Sequence, residues 1–238
     1  MSWLSGPVPH ADPTHPHVRW GCDLNEFHPL GAEHWAWIVD NAHTANEYGS
    51  SVLERVIFRA TSGTKVDTEF VRGVRMARGA QAELVRRGLP AFSLGAYMLL
   101  RPPGLIVGTV TQQVRAFAKA SLILGADRRE FAAVDVEGHA LWRGKDAAGA
   151  ARDALKGVQA RLCTRPWVYS YPSFWRDFRL APECRAIADL WAAQYNRTDW
   201  ADTDRVCGGT RVDAWQFGGG PLGGRPGWPP ISKTVLRS

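Results

Sequence analysis

Short apolar, β-branched runs alternate along this chain with longer stretches in which apolar residues recur at helical spacing, and the rhythm starts at Val18. VRWGCDLN (Val18–Asn25) reads as a strand, and AEHWAWIVDNA (Ala32–Ala42) as a helix with Trp35 and Ile38 on one face. RVIFRAT (Arg55–Thr61) is a second strand. A helix from about Asp67 to Arg87 follows it, closed by Gly88 and Pro90 in the order expected of a helix stop. AFSLGAYMLL (Ala91–Leu100) predicts a third strand, ended by Arg101, Pro102 and Pro103, and TQQVRAFAKASLIL (Thr111–Leu124) a third amphipathic helix. FAAVDVEG (Phe131–Gly138) is the fourth strand, Asp146–Leu162 the fourth helix and PWVYSY (Pro166–Tyr171) the fifth strand. Beyond it the rhythm weakens: AIADLWAAQY (Ala186–Tyr195) fits helix or strand, and RVDAWQF (Arg211–Phe217) is a short strand.

Repeated alternation without a linker predicts one α/β domain built on a parallel sheet. Periodicity alone leaves a closed barrel and an open sheet both available. Polar residues at the C-terminal ends of successive strands (Asp23, Arg59, Tyr97, Asp135 with Glu137, and Tyr169) favour the barrel, where those ends converge on one face. A doubly wound dinucleotide fold needs a glycine-rich first turn, whereas the first strand here runs into Leu24-Asn25-Glu26-Phe27. The expected layout is a flexible arm over residues 1–18, a (β/α) TIM-like barrel over 19–217 that turns irregular in its last third, and a Gly/Pro-rich tail over 218–238.

A length of 238 residues, 45% of them hydrophobic and 22% charged, suits such a barrel and its core. The net charge of +6 and pI near 9.4 favour a polyanionic partner: nucleic acid, an anionic membrane or an anionic wall polymer. The positive charge is mostly arginine and is spread out, with no run of about five or six basic residues, which argues against nucleic acid. No segment has the length and apolarity of a membrane span, and the opening MSWLSGPVPHADPTHPH lacks the basic and apolar regions of a signal peptide. Cys22, Cys163, Cys184 and Cys207 show no CxxC and no zinc spacing, and read as free, mostly buried thiols. His10, His15 and His17 do not make a metal site on their own. The 11 tryptophans are many for this size; flat rings with one N–H suit sugar faces, although core packing is their commoner fate.

The chemistry concentrates in FAAVDVEG. Asp135 and Glu137 sit two positions apart, so on a strand they point the same way. Two neighbouring carboxyls raise one another's pKa, and paired acids with separated pKa values are what glycosidic cleavage requires. The plainer alternative is that Asp135 caps a following helix while Glu137 is solvated.

Taken in order, the strand ends resemble family 25 of the glycoside hydrolases, the Chalaropsis-type and phage-endolysin lysozymes. GCDLNEFHP (Gly21–Pro29), FRATSGTKVDTEF (Phe58–Phe70), GAYMLLRP (Gly95–Pro102), VDVEG (Val134–Gly138), WVYSYPSFW (Trp167–Trp175), LWAAQY (Leu190–Tyr195) and WQF (Trp215–Phe217) are similar to its successive blocks. There are departures. Ser62 stands where the family usually has glutamate, Arg59 where it has lysine and Met98 where it has histidine; the closing Asp-x-Asn element is missing, leaving Asp213 as one possible substitute.

The resemblance implies a 1,4-β-N-acetylmuramidase acting on bacterial peptidoglycan, with Glu137 as general acid and then base. Asp135 stays ionised in that expectation, either stabilising positive charge at the sugar or orienting its acetamido group, and Asp23 completes the acidic cluster. Tyr97, Tyr169, Trp191, Gln194 and Trp215 are the candidates for lining the sugar groove. Arg59 would bind a carboxylate of the substrate or pair with Asp23 or Asp135. No metal or other cofactor, no nucleic acid and no membrane insertion is implied, and a monomer is expected. The expected setting is that of an endolysin made in the host cytoplasm and released to the wall, or of a virion-associated lysin. A catalytically weak glycan-binding or phage structural barrel, and a chitinase-like enzyme, are the rival readings.

Overall fold

In the computed structural model, which describes residues 17–24, 30–46, 49–104, 106–193, 204, 211–218 and 232–236, the apolar runs become strands that pair in sequence order. Strand β1 spans His17–Leu24, followed by helix α1, Ala32–Asn41. β2 (His43–Asn46), β3 (Gly49–Ser62) and β4 (Lys65–Val66) precede α2, Phe70–Arg86. Then come β5 (Ser93–Leu99), α3 (Val110–Ala120), β6 (Ala132–Asp135), α4 (His139–Trp142), α5 (Ala147–Leu162) and β7 (Trp167–Ser170). α6 (Pro172–Asp177), α7 (Leu180–Cys184), β8 (Asp189–Ala193), β9 (Ala214–Gly218) and β10 (Ser232–Leu236) complete the order.

The architecture is mixed α/β with a curled, mainly parallel sheet. Parallel pairing runs from β1 through β3, β5, β6, β7 and β8 to β9, and β10 lies antiparallel between β9 and β1, so the pairing returns on itself. β2 and β4 attach to β3 as antiparallel additions. The ambiguous segment 186–195 is resolved as strand β8. The segment expected to be a tail from 218 onward supplies β10, and the arm lies outside the described residues up to His17.

The central strands β5 and β6 are buried on both faces, which is why they read as continuous apolar runs. On β3, Val56, Phe58 and Ala60 join the large core shared with the helices, while Ile57 joins a second cluster with Tyr97, Phe131, Ala133, Trp191 and Ala214. The helices are placed by their apolar stripes. In α2, Phe70, Val74, Ala77 and Leu84 are buried at helical spacing. Thr109 and Gln112 form a reciprocal capping box at the start of α3 (3.2 and 2.8 Å). α3 stops at Ala120 rather than Leu124 and continues as a 3-10 helix over Ser121–Arg129, interrupted at Gly125, whose φ is 61°.

In the second cluster Phe131 and Trp167 stack with ring centroids 5.2 Å apart, and Trp191 meets Phe131 edge-on at 5.9 Å. The cluster needs Gly95: a Cβ there would lie 2.8 Å from Phe131 Cδ1 and 3.0 Å from its Cβ. Gly95→Ala is therefore expected to destabilise the fold by about 1–3 kcal/mol through overpacking, measurable by urea unfolding. An unchanged midpoint would show that Phe131 yields freely.

Among the described cysteines, Cys22 and Cys184 are buried free thiols and Cys163 is an exposed one; Cys207 lies outside the described residues. Burial pushes the Cys184 thiol up to about 12 and raises that of Cys22 as well. Among the described residues no helix is long and apolar enough to cross a membrane.

Candidate active site

The acid pair is built by the way β6 ends. Leu100 N–H donates to the Asp135 carbonyl (2.8 Å), and Val136 N–H to the Tyr169 carbonyl (3.0 Å). The backbone thus stays extended between β5 and β7 beyond the last strand residue, and Ser170 Oγ reinforces it by donating to the Val136 carbonyl (2.5 Å). Gly138 then turns the chain with φ 88°, a conformation that favours glycine, and serves as N-cap of α4 without a side-chain cap. Asp135 therefore does not cap the following helix. It and Glu137 share the strand's inward side.

Their surroundings differ. Asp135 is 5% exposed, and its Oδ1 is buried without a hydrogen-bond partner among the described residues. Glu137 is half-buried. Burial raises the Asp135 carboxyl well above the ordinary aspartate range, with the charges of Glu137 and Asp23 adding to it and those of Arg59 and Arg101 opposing it. Burial also raises Glu137, again opposed by Arg101 and Arg59. Both carboxyls thus lie above their ordinary ranges, and burial weighs more heavily on Asp135, the more enclosed of the two.

This has a consequence for stability. An unfolded aspartate ionises near pH 3.9, whereas native Asp135 holds its proton to higher pH, so the native state binds more protons and stability falls as pH rises through that window. Asp135→Asn is expected to melt above the unaltered protein at about pH 7, each kcal/mol recovered appearing as about 2–4 °C, with the gain shrinking towards about pH 4. Equal melting temperatures across that range would refute the assignment.

The other predicted residues spread around the same rim. Asp23, near the end of β1, is half-buried and accepts a 2.6 Å hydrogen bond from Gln216 Nε2. Tyr169 donates to Gln216 Oε1 (2.5 Å) and meets Trp191 edge-on at 4.7 Å. Tyr97 (6% exposed) and Trp191 (2%) belong to the buried inner cluster, forming its floor rather than an open wall. Trp215 is fully buried and alternates away from Gln216 on β9, so it does not reach the rim. Gln194 lies outside the described residues.

Arg59 is held by a partner the sequence reading did not consider. Its Nε donates to Asp67 Oδ2 at 2.8 Å, with both side chains buried, and Asp67 Oδ1 accepts from Glu69 N–H (2.9 Å). Asp213 does not replace the missing terminal aspartate. It precedes β9 at the end opposite the rim, pairs with Arg185 and accepts from Leu190 N–H (2.9 Å).

Two features were missed. Gln216 joins Asp23 to Tyr169, and its inward position follows from alternation with Ala214 on β9. His139, two residues beyond Glu137, contacts Tyr171 Oη through Nδ1 (2.9 Å) and Asp177 through Nε2 (3.0 Å), while Gly138 N–H reaches the same hydroxyl at 3.4 Å. This bracket fastens the turn after the acid pair to α6. No local pattern announces it, because its members lie more than thirty residues apart.

Acid–base cleavage of a glycosidic bond needs two neighbouring carboxyls, one that holds a proton to give and one that carries charge, and the end of β6 brings two acids together. That arrangement, on the strand-end face of a curled parallel sheet, is compatible with a glycoside hydrolase. Comparison with known families agrees and narrows the class: residues 32–221 match the glycosyl hydrolases family 25, and the chain belongs to that family. The match covers α1 to β9 and leaves Asp23 and β10 outside it.

Among solved structures, the catalytic domain of endolysin ply40 from bacteriophage P40 of Listeria monocytogenes is similar at 17% identity and a TM-score of 0.62, with 93% of this chain and 94% of that one covered. A bacterial lysozyme from Streptomyces coelicolor is similar at 16% identity and 0.61, covering 92% of each chain. The spore cortex lytic enzyme SleM of Clostridium perfringens gives 19% and 0.58, covering 92% of this chain and 67% of that one. At these identities the likeness speaks for the fold. No curated protein matches the sequence at a significant level.

Proposed function

We propose that this glycoside hydrolase is a muramidase that cleaves the β-1,4 bond between N-acetylmuramic acid and N-acetylglucosamine in peptidoglycan, on a TIM-like (β/α) barrel. The observation that carries the reading is the unequal acid pair at the end of β6, one member buried with an unpartnered oxygen and the other half-buried at the rim. Membership of family 25 supports the reaction class, and the endolysin, lysozyme and cortex-lytic names of the similar structures support the substrate.

Glu137 gives its proton to the glycosidic oxygen as the C1–O bond breaks, then takes one from the attacking water. Ionised Asp135 stabilises the positive charge that develops at the anomeric carbon, or orients the N–H of the substrate's acetamido group. Either supplies the countercharge or donor that the protein withholds, so the interaction strengthens as bond breaking proceeds. Gln216 and Tyr169 hold Asp23 in place beside the pair. The same reading places the enzyme's work at the cell wall, after release from the cytoplasm in which it is made.

The test is to incubate purified protein with peptidoglycan and identify the new reducing ends by mass spectrometry. Muramic reducing ends are expected. N-Acetylglucosamine reducing ends would instead assign a different glycosidic bond, and binding without cleavage would leave a glycan-binding barrel.

A further inference from the structure

Arg101 lies two residues beyond the end of β5, and its strand keeps company with β6 to that point. Leu99 is in register with Asp135, and Leu100 N–H donates to the Asp135 carbonyl (2.8 Å). Alternation places Tyr97, Leu99 and Arg101 on the side shared by Ala133, Asp135 and Glu137, so Arg101 stands level with Glu137. Arg59 and Arg101 both draw the two acids towards ionisation, but they are held differently. Arg59 is buried against Asp67. Arg101 is half-buried, its Nε donates to Ser62 Oγ (3.1 Å), and its backbone N–H and carbonyl are gripped by the Gln113 side chain at 3.0 and 2.9 Å. Its two terminal nitrogens donate to nothing among the described residues.

An arginine anchored through Nε and main chain, with its terminal nitrogens uncommitted beside a pair of acids, is a planar fork set for a carboxylate. Ser62 contributes by what it is not. A glutamate there, the residue expected from the family resemblance, would itself occupy the guanidinium.

We propose that Arg101 is a specificity-determining residue that binds, through a bidentate hydrogen-bonded pair, a carboxylate borne by the glycan next to the scissile bond. The inference rests on the muramidase reading and goes further, since it makes the acidic substituent, and not only the sugar ring, a recognised element. A carboxylate on Arg101 also screens its charge from Glu137, so the acid keeps its proton to higher pH with an acidic substrate than with a neutral one.

The experiment compares kcat/KM on a peptide-free oligosaccharide of alternating N-acetylmuramic acid and N-acetylglucosamine with kcat/KM on its methyl ester. The unaltered enzyme is expected to prefer the free acid by about tenfold or more. Arg101→Gln brings the ratio close to one, and Ser62→Glu, which ties up the guanidinium without removing it, lowers the ratio too. A peptide-bearing glycan preferred in place of the peptide-free acid, with that preference lost in Arg101→Gln, would assign the bound carboxylate to the stem peptide and still support the site. No preference for either acid over its ester in the unaltered enzyme, or a preference that survives both substitutions, overturns the inference. An enzyme that leaves peptidoglycan itself uncut removes the muramidase reading first, a distinguishable failure.

Discussion

Glu137→Gln is expected to cut turnover on peptidoglycan by about 10²- to 10⁴-fold while leaving substrate affinity nearly unchanged and the melting temperature at about pH 7 no lower than that of the unaltered protein. The size follows from the role: an amide of the same shape cannot deliver a proton to the leaving oxygen or take one from water. The selectivity follows from the structure. Glu137 is half-buried at the rim and makes no hydrogen bond among the described residues, so exchanging its carboxyl for an amide breaks nothing that holds β6 in place. Because burial raises its pKa, the alkaline limb of the unaltered enzyme's rate profile should lie above the ordinary glutamate range, and the glutamine variant should lose that limb. Loss of binding in step with turnover would move Glu137 from the proton-transfer role to one in substrate holding.

The second large effect concerns stability. Asp67→Ala should destabilise the protein by about 3–5 kcal/mol, lowering the melting temperature on the order of 10 °C, because it removes the buried carboxylate that the 6%-exposed Arg59 holds at 2.8 Å. The Glu69 N–H that Asp67 holds is orphaned in the same step. Replacing both members, Arg59→Met with Asp67→Leu, should recover much of the loss, since removing one member of a buried ion pair costs more than exchanging both for apolar residues. Arg59 also favours the charged form of both acids of the pair, so activity in the double variant should show a displaced pH profile even where stability returns. A single variant that melts within about 2 °C of the unaltered protein would show that water or a neighbour reaches Arg59 readily.

The long periodic segments were legible from sequence because burial on both strand faces, and on one helix face, writes a period into the residues. Elements α2, β6 and α5 fall where the pattern puts them, and β3 contains the predicted run but begins at Gly49 instead of Arg55. The acid pair was legible for the same reason, through the two-residue period of a strand. What the pattern did not carry was partnership. That Arg59 pairs with Asp67, that Gln216 bridges Asp23 and Tyr169, and that Asp213 is committed to Arg185 are outcomes of packing between distant strands. Trp215 and Gln216 are neighbours on one strand, and the aromatic residue drew the functional reading although alternation gives the inward place to the amide. The unequal burial of the two acids was not legible either, because it depends on what packs around each carboxyl and not on residue type. β10 was missed because SKTVL is short and follows a Gly/Pro-rich stretch.

That last strand bears on how the molecule comes to exist. It pairs Trp20 with Val235 on one side and Trp215 on the other, joining the beginning of the sheet to its end. As the chain emerges from the ribosome, the other ring strands are present while the edges of β1 and β9 are still bare. Exposed edges of that kind invite pairing with other chains. Sealing the seam requires contacts between residues separated by nearly the whole sequence, the costliest kind to form early. The strand that carries the acid pair lies across the ring from that seam, so the exposed edges and the candidate site fall on opposite sides of the sheet.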